Sequence, residues 1–103
     1  METVMNIINV KMSNRNVDEA GYRDLQGMLK DGWVTTWNLN VKRLSQQHRI
    51  KIWNVGQKQI LDASIREVVT HPENRIILGD DANIVEMTGT WMAGPRLCKY
   101  TEE

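Results

Sequence analysis

The segment Ile60–Thr70 constrains the architecture more than any other stretch, because its apolar residues satisfy two periods at once. Leu61, Ala63, Ile65 and Val69 fall at the two-residue spacing of a half-buried strand, with Glu67 out of step. Ile60, Leu61, Ser64, Ile65, Val68 and Val69 fit the helical period at least as well. The preceding turn, Asn54-Val55-Gly56-Gln57, and the β-branched content favour a strand, while the near absence of internal breakers favours a helix. Pro72 ends either element, since the residue before proline avoids helical geometry. As a strand, the segment gives an α+β, mainly β domain: a small, partly closed β-barrel with one N-terminal helix (16–31). As a second helix at 58–70, it gives the β-α-β-β-α-β order of a ferredoxin-like sandwich. The strand reading is preferred and the sandwich is the alternative.

The N-terminal helix rests on capping and periodicity. Asn16 suits the N-cap, Glu19 has the capping-box spacing, and Tyr22, Leu25, Met28 and Leu29 make one apolar stripe that Gly32 ends. Asn6–Met12, Trp33–Leu39 and His48–Asn54 alternate or run apolar as strands do. Arg75–Leu78 and Asn83–Thr90 read as a last hairpin across Gly79-Asp80-Asp81. From Gly94 onward the tail reads as loosely held.

Composition narrows the classes. At 103 residues the chain is expected to form a single domain, 1–103, because two would each be too small to bury a stable core. Lys plus Arg number 13 and Asp plus Glu also 13, which excludes histone-like and polyacidic readings. One cysteine, Cys98, excludes a disulfide framework, and His48, His71 and Cys98 lack metal-ligand spacing. No apolar run approaches the roughly 18 residues of a membrane span, and Glu2 and Asn6 interrupt any signal-like stretch. The expectations are a soluble cytoplasmic protein with no membrane partner, no cofactor, no metal and no assigned catalytic residue. Asp80 and Asp81 read as turn residues before they read as a carboxylate pair.

Charge is distributed unevenly. From Trp33 to Leu61 there is no Asp or Glu, whereas Lys42, Arg43, Arg49, Lys51 and Lys58 all lie there, together with Trp33, Trp37 and Trp53. Cations interleaved with flat rings suit phosphates and unpaired bases, each stacked base contributing about 1–3 kcal/mol. The competing reading is that tryptophans on strands fill a core that contains no Phe, and that the basic run is a solvated face.

A resemblance adds to this. The runs Asp31-Gly-Trp-Val-Thr-Thr-Trp-Asn, Leu44-Ser-Gln-Gln-His-Arg-Ile-Lys-Ile-Trp-Asn-Val-Gly and Ile60-Leu-Asp-Ala-Ser-Ile-Arg-Glu-Val-Val resemble the middle of the PUA-like superfamily, nearest its EVE and YTH branches. His71-Pro72 falls where that pattern has its proline, and Gln46-Gln47-His48 stands where it often has Gly-Asp. The resemblance, over residues 31–72, implies a small barrel that takes a modified or flipped-out base in an aromatic pocket. It implies Trp37 and Trp53 as wall residues and Asn38 or Asn54 as readers of the base edge.

The first functional expectation is therefore a non-catalytic nucleic-acid-binding module for single strands or a modified duplex. Trp33, Trp37 or Trp53 would stack, Asn38 or Asn54 would hydrogen-bond, and Lys42, Arg43, Arg49 and Lys51 would neutralise phosphate. The alternative is a protein-interaction or oligomerisation domain of a mobile-element or phage protein, a homodimer with a Trp-rich interface.

Overall fold

The computed structural model describes residues 4–12, 24–35, 40–91 and 98–102. Its elements are β1 (Asn6–Lys11), α1 (Leu25–Asp31), β2 (Trp33–Thr35), α2 (Val41–Leu44), β3 (Arg49–Asn54), β4 (Gln59–Val69), β5 (Arg75–Leu78), β6 (Asn83–Glu86) and β7 (Cys98–Glu102). The protein is α+β and mainly β. One seven-stranded mixed sheet runs β2-β5-β4-β3-β1-β7, with β6 also paired to β4. Among the described residues β1 and β3 pair in parallel and the other pairs are antiparallel.

The segment that decided the architecture is a strand. Residues 59–69 form β4, so the ferredoxin-like alternative, with a helix at 58–70, is overturned. Its double periodicity has a structural cause. Ile65 pairs with Leu78 but Glu67 pairs with Ile77, so Arg66 is the extra residue of a β-bulge. A bulge advances the chain by one residue without advancing the register, which switches the side-chain parity. Leu61, Ala63 and Ile65 therefore meet the core before the bulge, and Val68, rather than Val69, meets it afterwards. The step of three from Ile65 to Val68 is what imitates a helical turn.

The expectation of a partly closed barrel is corrected: the sheet is not closed. Among the described residues β2 and β7 lie at opposite ends of the strand order. The described part of β2, Trp33–Thr35, pairs with β5, and no pairing links it to β7. The single helix over 16–31 is corrected too. Asp24 is extended, with ψ 176°, and its carboxylate accepts the Gly27 N–H at 2.7 Å, so α1 starts there. Residues 16–23 lie outside the described set. Gly32 ends α1 as expected: at φ +76° it adopts the left-handed conformation and its N–H returns to the Met28 carbonyl at 2.9 Å. Sequence reasoning missed α2. Asn40 caps it by accepting the Arg43 N–H at 3.1 Å, and Leu44 plugs the core.

One face of the sheet holds the main core. Ile8, Val10, Ile50, Ile52, Leu61, Ala63, Ile76 and Leu78 pack there with Val34 and are covered by Leu25 and Met28 of α1 and Leu44 of α2. At the start of the parallel pair, the Asn6 N–H donates to His48 Nδ1 at 2.9 Å and the His48 N–H to the Asn6 carbonyl at 2.8 Å. An accepting Nδ1 requires the Nε2–H form of this imidazole.

The expected last hairpin is also corrected. β5 and β6 do not pair with each other; both pair with β4, end to end along its length. Between them Gly79–Ala82 leaves the ladder, and side chains replace the missing strand. Asp81 Oδ1 accepts the Ser64 N–H at 2.9 Å and the Ser64 hydroxyl at 2.8 Å. Its Oδ2 accepts from Arg49 Nη1 at 2.7 Å, and Arg49 Nη2 and Nε reach Asp62 Oδ1 at 2.9 and 3.2 Å. The Gly79 N–H donates to the Ser64 carbonyl at 2.8 Å, an approach so close that a Cβ at Gly79 would run into the Ser64 hydroxyl.

Two tests follow from this stitch. Gly79→Ala displaces Ser64 from Asp81 and is expected to cost about 1–3 kcal/mol in urea denaturation, as overpacking does. The Ser64 N–H, then Arg49, then the Ser64 hydroxyl hold the Asp81 carboxyl at a pKa of about 2, below its ordinary 3.8. Because the folded value is the lower one, this stabilisation is complete above the unfolded pKa and is lost as pH falls from 3.8 through about 2. Urea midpoints between pH 5 and 2 should converge for wild type and Asp81→Asn as pH falls; a constant gap would contradict the stitch.

Candidate functional site

The face of the sheet opposite α1 and α2 carries most of the residues singled out in the sequence. Along β3, Arg49, Lys51 and Trp53 alternate with the core residues Ile50 and Ile52 and so point to this second face. In register beside them lie Ile7, Asn9 and Lys11 of β1 and Ser64, Asp62 and Ile60 of β4. Trp33 and Thr35 of β2 and Arg75 and Ile77 of β5 continue the same face towards the other end of the sheet, since Val34, Ile76 and Leu78 are core.

Trp53 does not present a ring to solvent. It is 5% exposed, its Nε1–H donates to Asn9 Oδ1 at 3.1 Å, and its ring meets Trp91 edge-on at 5.5 Å. Asn9, 2% exposed, completes its bonding through Nδ2 to Thr101 Oγ1 at 3.0 Å and to the Lys99 carbonyl at 3.3 Å. This buried network joins β3, β1 and β7. Asn54 is also buried and closes the β3–β4 turn: its Oδ1 accepts the Gln57 N–H at 3.2 Å and its Nδ2 donates to Gln57 Oε1 at 3.0 Å. Neither side chain has the freedom that base recognition asks of it.

The basic residues are not gathered on one patch. Arg49 is bound to Asp62 and Asp81. Burial works against its charge, but the hydrogen bonds to Asp81 and then Asp62 more than offset that and raise its pKa. Lys51 is half-buried between Asn9 and Asp62 in the register. Lys42 and Arg43 are exposed on α2, which packs on the core side, and the Arg43 guanidinium lies 3.6 Å from the Tyr100 ring centroid. Trp37 and Asn38 lie outside the described residues.

A different group assembles at the β2–β5 end. The Arg75 guanidinium lies over the Trp33 indole, 3.9 Å from its centroid. Arg75 stands opposite Thr35 in the β2–β5 pair, and its Nη2 reaches Glu73 Oε2 at 3.3 Å. Arg75 Nε and Thr35 Oγ1 are both buried and have no hydrogen-bond partner among the described residues. The stack contributes about 0.5–1 kcal/mol and the exposed ion pair less than about 1. Two unmet polar atoms cost about 1–3 kcal/mol each, so this arrangement is held only marginally. Trp33 was a sequence candidate. Arg75 was not, because it lies beyond the acid-free window and reaches Trp33 only through antiparallel pairing.

A polar groove of about 270 Å³ lies elsewhere, between the start of α1 and the β3–β4 turn, lined by Asp24, Leu25, Gln26, Gln57 and Gln59. Among the described residues no helix is long and apolar enough to cross a membrane. Comparison with protein families, with curated proteins and with solved structures returned no match.

The buried indole gives a direct check on the assignment of Trp53 to structure. Asn9→Ala leaves its N–H unpaired and is expected to cost about 1–3 kcal/mol. By NMR the Trp53 indole N–H should exchange slowly in the wild type and faster in the variant.

Proposed function

We propose that this protein is a non-catalytic nucleic-acid-binding module whose ligand surface centres on Trp33, Arg75 and Thr35. The observation that carries the reading is the stacked Trp33–Arg75 pair with two unmet polar atoms beside it. An indole supplies a sequence-tolerant platform for a base, and a guanidinium supplies donors for phosphate. The resemblance of residues 31–72 to the PUA-like superfamily points the same way and keeps a modified or flipped-out base among the candidate ligands. Trp37 and Asn38, a few residues beyond Trp33 in sequence, remain part of this proposal. Lys42, Arg43 and Lys51 would act at most as distant phosphate contacts. With no net charge on the chain, binding is weak and salt-sensitive. A cytoplasmic location accords with such a ligand.

A homodimer is the second reading, favoured by the exposure of Val4 (50%), Met5 (38%) and Val85 (39%).

Titration of tryptophan emission with short single-stranded oligonucleotides tests the first reading. Quenching is expected at low salt and loss of it at high salt, with Trp33→Ala weakening binding about tenfold or more and Trp53 silent. Unchanged emission at low salt and high protein concentration would falsify it. Light scattering that shows a tight dimer, lost on Val85→Asp, would establish the second.

A further inference from the structure

Resting on the reading of Trp33 as the base platform, we infer that Arg75 is a movable arm which occupies the base position in the free protein and swings to phosphate when ligand enters, with Glu73 as its internal latch. The guanidinium sits over the Trp33 ring, 3.9 Å from its centroid in cation–π contact, so it covers the ring face on which a base would stack. Its tether is weak. Among the described residues only Glu73 Oε2, at 3.3 Å on a side chain 70% exposed, holds the arm by charge. In this position Arg75 Nε and Thr35 Oγ1 are buried and have no hydrogen-bond partner among the described residues. Lifting the guanidinium off the ring opens both atoms to hydrogen bonding, frees one indole face and carries a cation outward. A ligand that combines a flat base with a phosphate satisfies all of these at once. A carboxylate on Glu73 competes with that phosphate for the same guanidinium, and so sets the affinity.

The full chain labelled with 5-fluorotryptophan reports on the arm through the ¹⁹F resonance of Trp33, assigned with Trp33→Phe. The probes are a short oligothymidylate and, separately, inorganic phosphate. Glu73→Gln removes the latch without disturbing a core residue, and Glu86→Gln, on exposed β6, serves as control. The expected result is a Trp33 resonance already displaced in Glu73→Gln before ligand is added. Affinity for both probes should rise about two- to fivefold in that variant, with no change in the control. If the wild type binds oligothymidylate through Trp33 and Glu73→Gln matches it in resonance and affinity, the latched arm is refuted while the nucleic-acid reading stands. If phosphate moves Trp33 in a Glu73-dependent way and oligothymidylate does not bind, the arm stands and the nucleic-acid reading falls. A Trp33 resonance that neither probe moves in either protein ends both.

Discussion

β4 is the spine of this structure, and one carboxylate keeps it paired where its neighbours leave a gap. β5 and β6 share the same edge of β4 but part between Leu78 and Asn83, opposite Ser64. A backbone N–H left unpaired there would weaken the sheet at the point where it bends. Asp81 fills the place of the absent strand, and Arg49 ties it to Asp62 on β4 itself. The bulge at Arg66 follows directly. Stitch and bulge together let one long strand serve two groups of partners: β3 and β6 before the bend, β5 and through it β2 after.

The two faces of the sheet do different work. The face under α1 and α2 is apolar and holds most of the buried hydrophobic residues among those described. The other is mixed, and its polar atoms are bonded in compact sets: Trp53–Asn9–Thr101 near the middle and Arg49–Asp62–Asp81–Ser64 beside it. Such sets rigidify the sheet and leave little to offer a ligand. Among the described residues three buried polar atoms lack a hydrogen-bond partner; Gln47 Oε1 lies just after α2, and the other two, Thr35 Oγ1 and Arg75 Nε, meet at the β2–β5 end, where an aromatic plane and a guanidinium already stack. An unsatisfied group in an otherwise well-satisfied structure calls for an explanation, and ligand exchange is one that fits both atoms involved.

How legible this was in the residues varied with the range of the forces involved. Strand alternation in Arg49–Asn54 and the left-handed stop at Gly32 are properties of a few neighbours, and both were plain. The start of α1 was misjudged because Asp24, which caps it, stands inside the apolar stripe that begins at Tyr22, so periodicity alone did not mark the boundary. The acid-free window raised the expectation of a basic, aromatic patch, but nearness in sequence is not nearness on a folded sheet. Lys42 and Arg43 went to a helix on one side, Arg49 and Trp53 to the other side, and Arg49 met carboxylates from outside the window.

Local periodicity, chain length and turn chemistry were enough to favour an α+β, mainly β chain and left Ile60–Thr70 open between strand and helix, because steric preference and side-chain alternation act within a few residues; the ladder with β3, β5 and β6 made it a strand. The bulge at Arg66, the partnership of β5 and β6 with β4, the burial of Trp53 and the meeting of Arg75 with Trp33 depended on which strands came together. Hydrogen-bond registers between distant segments set those outcomes, and no spacing along the chain encodes them.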